Sequence, residues 1–200
     1  MGTRTARQLV LALLGTAALA LPDALSAATD ARQAQREPEL KALLQQIVAS
    51  ADCYTDRYDT EVWHKAMEPR LQRFVASHDE RIEILDHVYC EARRDAQLQL
   101  PPDLILALIE VESRFDRWAV SRSGAVGLMQ VMPFWPGELG VRNDLVRTAQ
   151  NIRIGCEILR YYLRAEHHDW TRALARYNGS AGRRDYPELI MNRWRRVWRF

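Results

Sequence analysis

Along most of the chain after residue 38, apolar side chains recur at intervals of three and four, the spacing of helices that bury one face. Pro38 opens one such run, followed by Leu40, Leu43, Leu44 and Ile47; proline suits a first turn, where its missing N–H is not needed. A second run carries Val62, Trp63, Met67, Leu71 and Phe74, with Pro69 expected to kink or divide it. Asp79 is placed to cap a third, with Ile82, Leu85, Val88 and Tyr89 as its stripe. After a polar connection over 93–99, Pro101 and Pro102 start a fourth helix, whose N-terminus Asp103 favours electrostatically. Further helices are expected at about 148–166, 169–177 and 186–198. No stretch alternates with the period of a strand and no internal repeat is visible, so the pattern predicts a mainly α protein.

The fourth helix carries the chemistry. At about 100° per residue, Leu104, Ile105, Leu108, Ile109, Val111 and Phe115 fall in one arc; Glu112 lies inside it and Glu110 on the far side. A carboxyl group among apolar neighbours loses hydration, which raises its pKa and lets it hold a proton near neutrality for delivery to a leaving group. The plainer alternative is a helix-edge glutamate whose stem packs while its head reaches water. On this helix alone the two readings weigh equally.

The residues that follow change the balance. Glu112-Ser113-Arg114-Phe115-Asp116, then Ala119 to Pro133 with Ser121, Gly124, Gly127, Leu128, Met129, Gln130 and Met132, resemble the signature of the soluble-type (SLT) lytic transglycosylases, relatives of goose-type lysozyme. The similarity continues in Asn151-Ile152, Gly155 and the Ile158 to Leu163 run, and in Ala175-Arg176-Tyr177-Asn178-Gly179, over roughly residues 83 to 198. Several motifs in the right order are harder to match by chance than one short pattern. By itself a Gly-Leu-Met-Gln sequence is more often a turn entering a packed helix than a substrate groove. The chain departs from the pattern at two places: Arg176 before the tyrosine, and Phe134-Trp135-Pro136 where smaller residues are commoner.

A signal peptide over 1–28 and an additional N-terminal helical region over 29–82 are read from the residues themselves, and the resemblance implies a lysozyme-like catalytic domain over 83–200. It implies peptidoglycan as substrate and Glu112 as general acid, then base, cleaving the bond from N-acetylmuramic acid to N-acetylglucosamine and leaving a 1,6-anhydro end. Ser121, Gln130 and Met132 would line the site, Tyr177 would direct a hydroxyl towards the acid, and Ser113 would set local geometry. Asn178 completes that motif, and Tyr186 before Pro187 stands where related enzymes carry another groove tyrosine. Trp170, Trp194 and Trp198 could also stack on sugars, although aromatics at helical spacing are most often core. Neither a cofactor nor a metal is implied. The usual two-carboxylate scheme needs a second acid, and none is obvious: Asp116 reads as a cap or surface residue. Two other readings stay open, a goose-lysozyme-like hydrolase and a non-catalytic wall-binding protein.

Composition sets limits consistent with this. Two hundred residues, 48% hydrophobic, suffice for one compact domain with a sizeable core. A net charge of +2 is too mild to suggest nucleic acid, although Arg183, Arg184, Arg193, Arg195, Arg196 and Arg199 crowd the end of the chain and could attract an anionic wall polymer. Arg4 and Arg7, the apolar run Leu9 to Leu21 and small residues at Ser26, Ala27 and Ala28 form a secretory signal, with a periplasmic mature chain expected to begin near residue 28 or 29 and to have no transmembrane segment. Three cysteines allow one bridge: Cys53 with Cys90 is the expected pair, Cys90 with Cys156 the alternative. The five histidines show no metal-ligand spacing with them, and His167-His168 reads as a solvated turn.

Overall fold

The computed structural model describes residues 57–139 and 144–200, so the signal segment, the run opened by Pro38 and Cys53 lie outside the described residues. In chain order it contains α1 (Arg57–Leu71), α2 (His78–Arg93), α3 (Pro102–Ser113), α4 (Phe134–Leu139), α5 (Thr148–Ala165), α6 (Trp170–Tyr177) and α7 (Asp185–Arg193); a π-helical turn, Trp194–Trp198, continues α7. Among the described residues β structure is limited to isolated antiparallel bridges pairing Val126 with Val120 and Val131. The expected helices at 148–166 and 169–177 are present within a residue. The one expected at 186–198 changes winding after Arg193, and α4, six residues long, is too short to show a period.

The centre of the fold is α3. Every residue from Asp103 to Glu110 is buried, which makes α3 a core helix rather than an amphipathic one. Its surroundings explain this: α2, α7 and the π-helical turn all pack against it. Glu110 therefore does not face outward as the helical arc suggested; it is 6% exposed. Pro101 and Pro102 open the helix as expected, and it ends because Arg114 and Phe115 turn left-handed at φ 54° and 66°, with the Arg114 N–H on the Glu110 carbonyl at 3.0 Å.

Two local expectations are corrected. Ser77, not Asp79, caps α2, accepting the Glu80 N–H at 3.3 Å; Asp79 sits inside the first turn, where its charge still favours the helix N-terminus. Pro69 does not divide α1, which runs on to Leu71: it stands two residues from the helix end, so the single bond it removes, to the carbonyl four residues earlier, loosens the last turn without dividing the helix. The boundary drawn at 82/83 falls inside α2, and Trp63, Met67 and Leu71 of α1 belong to the same buried cluster as Ile105 and Leu108. Trp63 Nε1 donates to the Leu85 carbonyl at 3.3 Å.

Buried charge ties the layers. Arg160 of α5 has no exposure; it donates to the carbonyls of Leu98 at 3.0 Å and Ala92 at 3.1 Å, closes on that of Glu91, and pairs with Glu157. The end of α2 is thus stitched to α5. Burial pushes the Glu157 carboxyl up, against the pull of Arg160. Arg70 of α1 donates to the carbonyls of Val197, Trp198 and Arg199 at 3.0–3.2 Å, a cation at a helix C-terminus. Cys90 is disulfide-bonded and Cys156 is a free, buried thiol. The alternative bridge from Cys90 to Cys156 is therefore overturned. His167 and His168 are exposed with positive φ, the turn their sequence suggested.

Candidate active site

Glu112 lies in the last turn of α3, where the helix leaves the core and its side chain becomes half-buried. Desolvation raises its carboxyl from 4.5 to about 7, and the hydrogen bond donated by the Tyr186 hydroxyl pulls the other way. A group held there is protonated or ionised in comparable measure near neutral pH, as an acid that must later act as a base requires. Burial pushes the Tyr186 hydroxyl well up, with the Glu112 charge adding to it, so the phenol stays a proton donor.

Two motif segments converge beside the acid. Ser113 Oγ donates back to the Ile109 carbonyl at 3.2 Å and across to the Leu128 carbonyl at 2.8 Å, fixing the helix end to the glycine-bearing loop. Tyr177, at the end of α6, donates its hydroxyl to the Met129 carbonyl at 2.8 Å. This corrects the expectation that Tyr177 aims its hydroxyl at the acid: the proton is committed to the loop, and Tyr186 is the tyrosine bonded to Glu112. Tyr177 remains within its field, since burial first and the Glu112 charge second push its hydroxyl up.

The remaining candidates shape the loop rather than bonding Glu112. Ser121 Oγ accepts the Ala125 N–H at 3.0 Å and meets Ser123 Oγ at 2.9 Å. Gln130, left-handed at φ 50°, turns its amide inward to the carbonyls of Gly127 at 2.9 Å and Ala119 at 3.2 Å. Met132 is half-buried against the core. Asn178 is exposed and caps α6 through its backbone N–H on the Leu174 carbonyl. Trp198 is core, wholly buried between Phe74 and Phe115.

The residue that organises the loop is Asn151 of α5, which the sequence showed without a role. It is 1% exposed, accepts the Met129 N–H at 2.7 Å, and donates to the carbonyls of Val126 at 2.9 Å and Leu145 at 2.8 Å. Gly127 permits this approach: a Cβ there would sit 2.4 Å from Asn151 Nδ2 and 2.5 Å from the Leu145 carbonyl, at φ +81°. Gly155 likewise leaves room for Met129, which a Cβ would meet at 2.6 Å. A buried polar residue on an otherwise apolar helix stripe was the available signal. Glu110, also missed, accepts Trp198 Nε1 at 2.7 Å and pairs with Arg193.

The acids that flank Glu112 in the sequence are Glu110 and Asp116. Glu110 is engaged, and Asp116 is exposed and accepts the Trp118 N–H at 2.8 Å within its turn. No group of three or more potential metal ligands occurs among the described residues. A cavity of about 550 Å³ lined by Trp63, Tyr89, Leu100, Pro102 and Phe200 opens at the other end of α3, roughly 15 Å along the helix from Glu112 at 1.5 Å per residue. It is not part of this site.

Residues 90–188 match the family model described as Transglycosylase SLT domain. A transglycosylase of Enterobacteria phage PRD1 is 36% identical over 103 residues, covering 48% of this chain and 38% of that protein. The membrane-bound lytic murein transglycosylase C of Photorhabdus laumondii is 34% identical over 115 residues, covering 48% of this chain and 32% of its own length. The chain thus spans about a third of the length of these curated relatives.

Proposed function

Residues 90–188 make this chain a member of the SLT-type transglycosylase family, and from that premise we propose that it is a lytic transglycosylase acting on peptidoglycan. The observation that carries the reading is the desolvated carboxyl of Glu112, held near neutrality with a tyrosine hydroxyl as its bonded partner. Protonated Glu112 donates its proton to the oxygen linking N-acetylmuramic acid to N-acetylglucosamine as that bond breaks. The acetamido oxygen of the muramic residue stabilises positive charge at its anomeric carbon. Glu112, now ionised and accepting from Tyr186, takes the proton of the C6 hydroxyl as that oxygen closes on the anomeric carbon. The products are a free glycan end and a 1,6-anhydro end, and no water is consumed.

The engagement of Glu110 and the exposure of Asp116 favour this over hydrolysis, which needs a base to activate water. Ser121, Gln130 and Met132 form the loop wall along which a sugar would lie, with Asn178 and Tyr177 at its edge. The periplasm is the compartment in which such an enzyme meets its substrate, and no helix among the described residues is long and apolar enough to cross a membrane.

Digestion of purified peptidoglycan followed by mass analysis of the muramic acid ends tests the reading. Ends lighter by one water are expected; full-mass reducing ends would make the protein a hydrolase, and absence of product would leave a binding protein. Glu112→Gln keeps the shape of the side chain without a transferable proton. It is expected to retain fold and glycan binding while turnover falls by at least about 10²-fold.

A further inference from the structure

Glu112 does not stand alone on its helix. Two residues before it, about 200° around the axis, Glu110 is buried with a complete set of partners. Trp198 Nε1 of the π-helical turn donates to Oε2 at 2.7 Å, and Arg193 of α7 pairs with Oε1. The element that supplies Arg193 also supplies Tyr186. These positions are seven apart on α7, close to two full turns, so they share one helix face about 10 Å apart along the axis. One face of α7 is therefore fastened to α3 twice, by Tyr186 on Glu112 and by Arg193 on Glu110. A leucine at position 110 would fill a buried helix at least as well, since a buried ion pair seldom stabilises more than apolar packing does. A carboxylate there instead fixes geometry.

We propose that Glu110 is a positioning residue for the active site: by holding Arg193 and Trp198 it sets the rotation and depth of α7, and so keeps the Tyr186 hydroxyl on Glu112. The proposal rests on the reading of Glu112 as the acid. The geometry is demanding, because a hydrogen bond is lost with about 1 Å of displacement or a strongly bent angle. The ionisable groups facing the two carboxylates are Arg193 and Tyr186 from α7 and Tyr177 from α6. The π-helical turn adds the Trp198 indole, and no ionisable group of α2 is bonded to either carboxylate among the described residues. The Tyr186 bond favours the ionised form of Glu112 against desolvation, so loosening it moves the titration of Glu112 upward.

The test is a carbon-13 titration of the Glu112 carboxyl in full-length, glutamate-labelled protein, with Glu112→Gln identifying the signal. Glu110→Gln is expected to raise the midpoint by about half to one pH unit, Tyr186→Phe to raise it at least as far, and the double variant to go no higher than Tyr186→Phe alone. That non-additivity is the mark of one residue acting through another. An unmoved midpoint in Glu110→Gln, an unmoved midpoint in Tyr186→Phe, or a double variant equal to the sum of the two would each overturn the proposal. If Glu110→Gln does not fold, Arg193→Ala, a substitution at a part-exposed position, takes its place with the same expectation. Arg193→Lys should then restore the midpoint, and failure to restore it sinks the idea. Because the titration needs no turnover, a wild-type protein that releases no anhydro ends would overturn the proposed function while leaving this result readable.

Discussion

In the role proposed for it, Glu112 meets two demands that oppose each other: it must be desolvated to hold a proton, and desolvation makes its ionised form a burden on the fold. Its folded pKa, about 7, lies above the ordinary 4.5, so the native state binds the proton more tightly than the unfolded chain. The stabilisation from this group is complete below pH 4.5 and disappears as pH rises towards 7. Glu112→Gln removes that dependence. Its unfolding free energy should match wild type near pH 4.5 and exceed it at pH 8, by at most about 3 kcal/mol and by less in so far as solvent still reaches the side chain. Thermal melts at the two pH values check this, and a constant difference would count against the assignment. The position of Glu112 was legible because an acid inside an apolar arc is a local signal. The partner of Glu110 was not, since Arg193 and Trp198 lie 83 and 88 residues away in the chain. For the same reason the sequence nominated both tyrosines but gave the acid to Tyr177, whereas Tyr186 is the one that reaches it.

Between elements, the glycine-bearing loop depends on α5. Asn151 satisfies the Met129 N–H and the Leu145 carbonyl, and adds a second donor to the Val126 carbonyl, which also accepts the Val131 N–H. Asn151→Ala is expected to destabilise the protein by about 3 kcal/mol, since each orphaned polar group costs about 1–3 kcal/mol, and denaturant unfolding measures it. Gly127→Ala should cost at least about 2 kcal/mol for a different reason, a strained φ joined to a clash with Asn151 and the Leu145 carbonyl. It should also lower activity, because the loop carries the Leu128 and Met129 carbonyls that hold Ser113 and Tyr177. The helices themselves were readable from period. Their ends were less so: Ser77 and Asp79 are both capable caps, and only the path of the chain entering α2 selects Ser77.

At the scale of the molecule, the segment matching the family model begins at residue 90, yet the core begins earlier. Trp63, Met67 and Leu71 are at most 2% exposed, and Arg70 holds the carbonyls that end the π-helical turn. Trp63→Ala should therefore destabilise the whole protein by about 3–5 kcal/mol, in one cooperative transition with α3 rather than as a separate melting of α1; two resolved transitions in calorimetry would contradict this. Nothing in the spacing of residues 57–75 distinguishes a separate helical region from a wall of the same core, because apolar period reports that a face is covered and not what covers it. Cys156 draws a last consequence from this shared core. Its thiol is enclosed in α5 beside the Arg160 cluster, and burial pushes its ionisation far above the usual thiol range, so a thiol reagent has nothing to attack while the helices are closed. The rate at which one label appears per chain, followed at fixed pH without denaturant, thus counts openings of the interior, and the protein carries a built-in clock for its own unfolding.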